Sequence, residues 1–435
     1  MSEELLSRLL GRLHDHSAKV VVVGQGYVGL SIATQASELG FRVVGYDTDP
    51  MRVQALRDGR SFVDDVPNDE IRMALDADYW PTGDPLDLRA FDVAVITVPT
   101  PLRDGIPDLS FIENAARDIA QCLERGALVT LESTTYPGTT EELLRPSLER
   151  TGLKAGDDFF LGYSPERIDP GNSAWTFVNT PKVVSGSEAR SLRAVEAFYG
   201  MLVEKTVPVG STGEAELVKL LENTFRHVNV ALVNELAVFA RELGVDIWSA
   251  IDAATSKPFG YLRFTPGPGV GGHCLPIDPS YLAWRVERRV GHRFQFVELA
   301  NDVNSRMPEY VVSRITSLLN EESKSVRGAR ILLLGLAYKP GTSDWRESPS
   351  MVIARQLHTL GGDVRVHDAH VPQDADLVPP LPRVGCDAEE LHAADLVVIL
   401  VDHDDLPYEE ICEHAPLVFD TKGCIRDRTF RGELL

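Results

Sequence analysis

Short apolar runs alternate with amphipathic stretches through the first half of the chain, the pattern of strands and helices that build a parallel sheet. Residues 19–23 (KVVVV) are an unbroken apolar run closed by a glycine, which predicts a strand buried on both faces. A helical pattern follows in YVGLSIATQASELG, and RVVGYD adds a second apolar run that ends on an acid. DVAVITVPTP (92–101), ALVTLESTTYPGTT (127–140) and FFLGYSPERIDPGN (159–172) each read as a strand delivering a loop at its carboxyl end, the edge where ligands bind in an open parallel sheet. From residue 213 the texture changes. GEAELVKLLENTFRHVNVALVNELAVFARELGV keeps a helical period throughout and predicts one extended helix, and residues 280–320 read as further helices closed by the polar run NEESKSVRG. The remainder repeats the opening plan: RILLLGLAYKPGTSD (330–344), MVIARQLHTLGGDVRVHD (351–368) and ADLVVILVDHDD (394–405) supply strand, turn, helix, strand and strand again. The predicted class is α/β, with two Rossmann-like doubly wound domains. Ahead of them, Leu5, Leu6, Leu9, Leu10 and Leu13 predict a short docking helix.

The first turn reads G-Q-G-Y-V-G. Gly24 permits the tight bend, Gly26 lets a pyrophosphate approach the backbone, Gly29 lets the helix lie close to the strand, and the helix N-terminus faces the phosphates. Asp47 stands 18 residues beyond Gly29 at the end of the next strand, placed to accept bonds from a ribose hydroxyl, and no arginine follows immediately. That pattern selects NAD over NADP. In the second domain Gly335 is followed by Leu336, Ala337 and Tyr338, with Lys339 and Arg346 supplying positive charge. This degenerate turn predicts a different phosphate-bearing ligand, with Tyr338 stacking on its base.

Composition narrows the classes. The chain has 435 residues, 43% hydrophobic and 25% charged, enough for several globular domains. A formal charge of -22 argues against nucleic acid as a partner. No apolar run approaches membrane-spanning length, and the first residues lack the pattern of a signal peptide, so no membrane association is expected. Cys122, Cys274, Cys386, Cys412 and Cys424 are widely spaced with no C-x-x-C pair, which predicts neither a disulfide framework nor a metal site and suits a reducing, cytoplasmic compartment.

Candidate chemistry concentrates in residues 267–278, GPGVGGHCLPID, where glycines and prolines shape a loop around Cys274 and Asp278 follows four residues on. On the long helix Lys219 and Asn223 are one turn apart and share a face, with His227 continuing the row. Glu166 sits in a loop just past a strand, and Ser133, Thr134, Thr139 and Thr140 supply hydroxyls that equally suit capping and turns.

In this order GQGYVG, STTYPGTT, SPE, the Lys-x-x-x-Asn helix, GGHCLPID and AYKPGTSDWRESPS make the chain resemble the UDP-sugar 6-dehydrogenases, a group of UDP-glucose, UDP-N-acetylglucosamine and UDP-N-acetylmannosamine enzymes with GDP-mannose dehydrogenase as a near relative. The resemblance runs from about Lys19 to Cys424. It implies an NAD-binding Rossmann-like domain (1–210), a helical dimerisation domain with the cysteine loop (211–322) joined through the long helix, and a UDP-sugar-binding Rossmann-like domain (323–435). It further implies a homodimer or higher homo-oligomer. The implied reaction is a four-electron oxidation of the sugar C6 alcohol to the acid through a thiohemiacetal and thioester on Cys274. Lys219 and Asn223 would stabilise the oxyanion, Asp278 would assist proton transfer or orient the amine and water, and Thr134 and Glu166 would surround the hydrolytic water. The cofactor would meet Gly24, Gly26, Tyr27, Val28, Gly29, Asp47, Arg52, Thr100, Thr134 and Arg346. The substrate would meet Glu166, Arg167, Lys219, Asn223, Gly271, Tyr338 and Lys339.

Two departures matter. Pro170 stands where many UDP-glucose enzymes carry a second glutamate, so ERIDPGN points to 2-acetamido sugars, UDP-N-acetylglucosamine first, its manno epimer next and UDP-glucose third, feeding polysaccharide or glycan assembly. Lys422 stands where many relatives have an arginine, and the two cations are not interchangeable. Two other functions fit parts of the pattern: a single-step hydroxyacid dehydrogenase and a non-catalytic nucleotide-sugar binding protein.

Overall fold

The computed structural model describes residues 2–435 apart from Asp64, Asp104, Pro170, Ser173 and residues 273–277. The chain forms two compact units, Met1–Glu222 with Ser280–His292 and Asn223–Pro279 with Arg293–Leu435.

In the first unit the apolar runs become strands β1 (Lys19–Val23), β2 (Arg42–Tyr46), β3 (Tyr79–Thr82), β4 (Val93–Ile96), β5 (Leu128–Leu131), β6 (Phe160–Tyr163), β7 (Lys182–Gly186) and β8 (Thr206–Pro208). Their order is β3-β2-β1-β4-β5-β6-β7-β8, parallel except where β6 meets β7. The chain leaves β1 towards β2 on one side and returns at β4 on the other, so a crevice opens at the carboxyl ends of β1 and β4. Apolar residues fill β1 and β4 because layers cover both faces: Val20 and Val22 pack on one side, Val21 and Val23 on the other. The predicted docking helix is α1 (Ser2–His14), with Leu6, Leu9 and Leu13 buried and Arg12 bonded to Asp92 at 2.6 Å. Helix α2 (Tyr27–Glu38) follows β1 after three residues.

The extended helix α3 (Thr212–Glu242) passes from the first unit into the second. It stops short of Val245 because Gly244 takes a left-handed φ of 67°, letting the amides of Gly244 and Val245 turn back onto the carbonyls of Arg241 and Ala240. After a short helix at Ile247–Thr255, helices α4 (Asp278–Val290) and α5 (Gln295–Glu321) follow.

The second unit repeats the strand plan: β9 (Arg330–Leu334), β10 (Asp363–His367), β11 (Leu396–Ile399), β12 (Val418–Asp420) and β13 (Gly432–Leu434), all parallel in the order β10-β9-β11-β12-β13. Helix α6 (Pro349–Thr359) packs on this sheet and on α5 through Met307, Val311, Met351 and Ile353. Among the described residues no helix is long and apolar enough to cross a membrane.

Candidate active site

The glycine turn after β1 has the shape a dinucleotide needs. Gly24 adopts φ 93°, and a β-carbon there would lie 2.8 Å from the Thr97 carbonyl oxygen. A β-carbon on Gly29 would lie 1.8 Å from the carbonyl oxygen of Gly24, so only glycine lets α2 pack this close. Gly26 differs, since nothing lies within 4 Å of a β-carbon built on it. That open space faces the start of α2, where Gly26 is the N-cap and offers no side-chain bond to the first amides. Those amides therefore remain available to a phosphate. Tyr27 and Val28, in the first turn, are partly exposed. Gln25, fully buried, is tied down through its side chain to the Val22 carbonyl and by the Tyr79 hydroxyl at 2.6 Å.

Asp47 follows β2 and accepts from the amides of Gln25 and Asp49, both at 2.9 Å. Arg52 lies 3.6 Å from its carboxylate and over the ring of Phe62. A carboxylate with two amide donors keeps lone pairs for a ribose diol. The residues present thus fit NAD.

At the carboxyl ends of β4 to β6 the remaining first-unit residues gather. The Thr100 hydroxyl donates to the Thr134 carbonyl oxygen at 2.8 Å, and the hydroxyl of Tyr281, on α4, donates to the Thr100 carbonyl oxygen at 2.5 Å. Ser133 spends its hydroxyl on the Val98 carbonyl and is buried, so it shapes the loop. Thr139 and Thr140 are likewise occupied: Thr139 bonds Thr135, and Thr140 donates to Glu216 at 2.7 Å. Glu216, fully buried on α3, also accepts the amides of Gly138 and Thr140, and burial outweighs these donors to lift its carboxyl to about 7. Nothing in the sequence spacing marked Glu216 or Tyr281.

Lys219 is 6% exposed, and its ammonium donates to Glu166 Oε2 at 3.0 Å. The other Glu166 oxygen accepts the amide of Ile168. Arg167 bonds the Pro181 carbonyl at 2.6 Å and pairs with Glu222. The surface lysine that composition alone would suggest at this position is therefore a buried member of an ion pair.

In the second unit Asn223 and Asp278 are both buried, and Asn223 Nδ2 donates to Asp278 Oδ2 at 2.5 Å. Below them on α3, His227 bonds Asn301, and Asn234 links Asn304 to the amide of Gly267. Cys274 lies outside the described residues. The approach to it is described: the Gly272 amide donates to the Glu347 carbonyl at 3.1 Å, and a β-carbon on Gly271 would meet that same carbonyl at 2.5 Å. Gly271 thus has a packing reason for lacking a side chain. The Tyr338 ring lies against Gly272, with a β-carbon there 2.7 Å from the ring edge, and Lys339 is half-buried beside it. Arg346, in the second unit, pairs with Asp344 at 2.7 Å and lines a cavity of about 540 Å³ with Val270 and Glu347. The Lys422 ammonium reaches Gly267, 3.5 Å from where a β-carbon would stand.

Three segments match one family in order. Residues 18–203 match the NAD binding domain of the UDP-glucose/GDP-mannose dehydrogenase family, residues 213–306 its central domain and residues 332–427 its UDP binding domain. The chain belongs to the UDP-glucose/GDP-mannose dehydrogenase family. The UDP-N-acetyl-D-mannosamine dehydrogenase of Pyrococcus horikoshii is 35% identical over 89% of this chain and 90% of its own length. The UDP-N-acetyl-D-glucosamine 6-dehydrogenase of Pseudomonas aeruginosa is also 35% identical, over 89% and 91%. Among solved structures, the UDP-D-ManNAc dehydrogenase from P. horikoshii superposes with a TM-score of 0.84 at 33% identity, covering 95% of this chain and 98% of that one. As a UDP-glucose/GDP-mannose dehydrogenase family member, the chain is an NAD-dependent nucleotide-sugar dehydrogenase whose first unit carries the NAD binding domain and whose C-terminal sheet carries the UDP binding domain.

Proposed function

We propose that the enzyme oxidises the C6 alcohol of a UDP-2-acetamido-2-deoxyhexose to the carboxylate, with the gluco and manno epimers as the two candidates. One observation carries the reading: a lysine and an asparagine one turn apart on α3 are both buried, and each is bonded to a carboxylate. An ammonium and an amide held out of water are suited to an oxygen that gains negative charge, because their field there is weakly screened. NAD, when bound, supplies the hydride acceptor for both oxidations. The Cys274 thiolate bonds to the aldehyde carbon left by the first oxidation, and the second leaves a thioester on its sulfur. Lys219 and Asn223 hold the substrate oxygen, Asp278 orients the Asn223 amide, and Glu166 with Thr134 holds the water that releases the acid. Tyr338 and Lys339 receive the UDP group. Arg346, with Arg52 and Thr100, contributes to holding NAD.

The 2-acetamido assignment draws on ERIDPGN and on one relative named for the manno epimer and another named for the gluco epimer. The deciding experiment runs limiting UDP-N-acetylglucosamine, UDP-N-acetylmannosamine and UDP-glucose to completion and counts NADH. Two NADH per acetamido sugar, and none above background with UDP-glucose, is the expected result. Two NADH only from UDP-glucose would overturn the sugar assignment, and one NADH per sugar would overturn the thioester.

We further propose a homodimer formed on α3, in keeping with the exposed apolar row Leu221, Phe225, Leu232, Leu236, Phe239 and Leu243. Light scattering should give a dimer mass that falls to the monomer's in Phe239→Glu, and a wild-type monomer would end the idea.

A further inference from the structure

Beneath the loops that carry Thr134 and Glu166 lies a buried polar group that the proposed chemistry does not use. Glu132 is the residue before Ser133, Lys182 opens β7, and Tyr199 lies on the helix Ala189–Leu202. None of the three is more than 4% exposed. The Lys182 ammonium donates to Glu132 Oε1 and, at 3.5 Å, to the carbonyl oxygen of Pro165. The Tyr199 hydroxyl donates to Glu132 Oε2 at 2.7 Å, and the ammonium sits 4.9 Å from the Tyr199 ring centre and 5.4 Å from that of Phe177.

One buried cation therefore touches the residue two before Thr134 and the residue just before Glu166. The Glu166 loop is fastened to the same stretch of chain on either side: the Ser164 hydroxyl donates to the Val183 carbonyl at 2.7 Å, and Arg167 donates to the Pro181 carbonyl at 2.6 Å. Lys182 extends that attachment across β6 to the Thr134 loop. An apolar trio of the same volume would fill this space without the cost of desolvating two charges, so stability is a poor reason for the group. What an ion pair provides that an apolar trio cannot is a fixed register between two loops.

We propose that Glu132, Lys182 and Tyr199 are positioning residues that set Thr134 and Glu166 relative to each other for hydrolysis of the Cys274 thioester. This rests on the function proposed above. In that step the water oxygen bonds to the acyl carbon and the C–S bond breaks. One proton of the water ends on the Cys274 sulfur and the other passes to solvent, leaving the carboxylate. Slackening the register should slow this step and spare the oxidations, which do not require the water.

The test compares Lys182→Met, Lys182→Arg and Tyr199→Phe with wild type and with Glu166→Gln. NADH is followed within the first turnover, and the intact mass of the enzyme is read during steady state. In Lys182→Met, kcat should fall about 10- to 100-fold, the scale of a small misplacement in a reacting pair, and KM for NAD and sugar should fall with it, because kcat/KM reports the spared oxidations. A burst of two NADH per site and a sugar adduct on Cys274 should accompany the fall, as in Glu166→Gln. Lys182→Arg should recover part of the rate. If Lys182→Met does not fold, Tyr199→Phe decides, since it removes one hydroxyl: adduct build-up supports the proposal, and wild-type behaviour overturns it. Two NADH from wild type with an adduct in Glu166→Gln but none in the Lys182 or Tyr199 variants sinks the positioning role alone. One NADH per sugar from wild type sinks the functional reading, and the positioning role with it.

Discussion

The two sheets carry the same turn and use it in opposite ways. After β1 the amide of Gly24 donates to the last carbonyl of β2 at 2.8 Å, and after β9 the amide of Gly335 donates to the last carbonyl of β10 at 2.9 Å. The acid that succeeds each second strand, Asp47 or Asp368, then accepts amides from the turn. From there they diverge. In the first unit the helix begins at Tyr27, directly after Gly26, with no side chain capping it. In the second, Ala337 replaces the open glycine and residues 338–348 intervene. The helix then starts at Pro349 under Ser348, whose hydroxyl oxygen accepts the Ser350 amide at 3.2 Å. The first turn leaves its helix amides and its acid for a ligand, whereas the second satisfies both internally. Asp368 is wholly buried, accepting from Leu336, from Ala337 and from His403 Nε2 at 3.2 Å. Strand order alone therefore does not make a dinucleotide site; the residues just after the second glycine position decide it.

The strongest way to break this comparison is at Gly26. Its backbone, at φ -83° and ψ -162°, suits any residue, and a β-carbon meets nothing, so Gly26→Val should fold with Tm lowered only slightly. In the complex the new side chain would occupy the path of the pyrophosphate, and NAD affinity should fall at least about 100-fold, or about 2.7 kcal/mol. Calorimetric titration with NAD checks this. Unchanged affinity would mean that the cradle is not where the cofactor binds.

Next in size is the contrast between the two acids. Burial opposes ionisation of Asp368, but His403 and the two amides outweigh it and hold the carboxyl below its ordinary range. A folded-state pKa below the unfolded value gives stability that is present above the unfolded pKa of about 3.9 and is lost as pH falls below that, towards the folded value. Asp368→Asn should therefore lose about 2 kcal/mol at neutral pH, the scale of hydrogen bonds to a charge, and its melting temperature should fall less steeply than wild type below about pH 4. Asp47→Asn loses one of its two amide bonds and should cost about 1 kcal/mol, less than Asp368→Asn, while raising KM for NAD about 10-fold through the lost ribose bond. Thermal melts across pH, paired with NAD titrations, separate the two. A large stability loss at Asp47 with no cofactor effect would erase the distinction.

How much of this is legible in the sequence depends on the reach of each interaction. The strands, the glycine turn, Asp47 and the long helix can be expected from the sequence because period and turn chemistry are local properties. The burial of Lys219 is also foreshadowed, by the apolar positions around it. Glu216 and Lys182 are invisible there: their decisive partners lie 76 and 50 residues away, and neither spacing leaves a trace in composition. Gly271 shows the opposite limit. Its glycine suggests a ligand, yet the Glu347 carbonyl is enough to exclude a side chain there.

The smallest test sharpens the comparison from the second side. If the second turn lacks a dinucleotide because its own residues fill it, restoring the glycine at Ala337 should not create one. Ala337 is fully buried, so Ala337→Gly removes a packed methyl and frees the unfolded backbone, costing about 1 kcal/mol in a urea melt. The Asp368 bonds and the Ser348 cap would persist, since neither uses the Ala337 side chain. NAD titration of the variant should then show the same number of sites per chain as wild type, with unchanged affinity. A second, weaker NAD site in Ala337→Gly would mean that one methyl, and not the cap and the consumed carboxylate, separates the two turns.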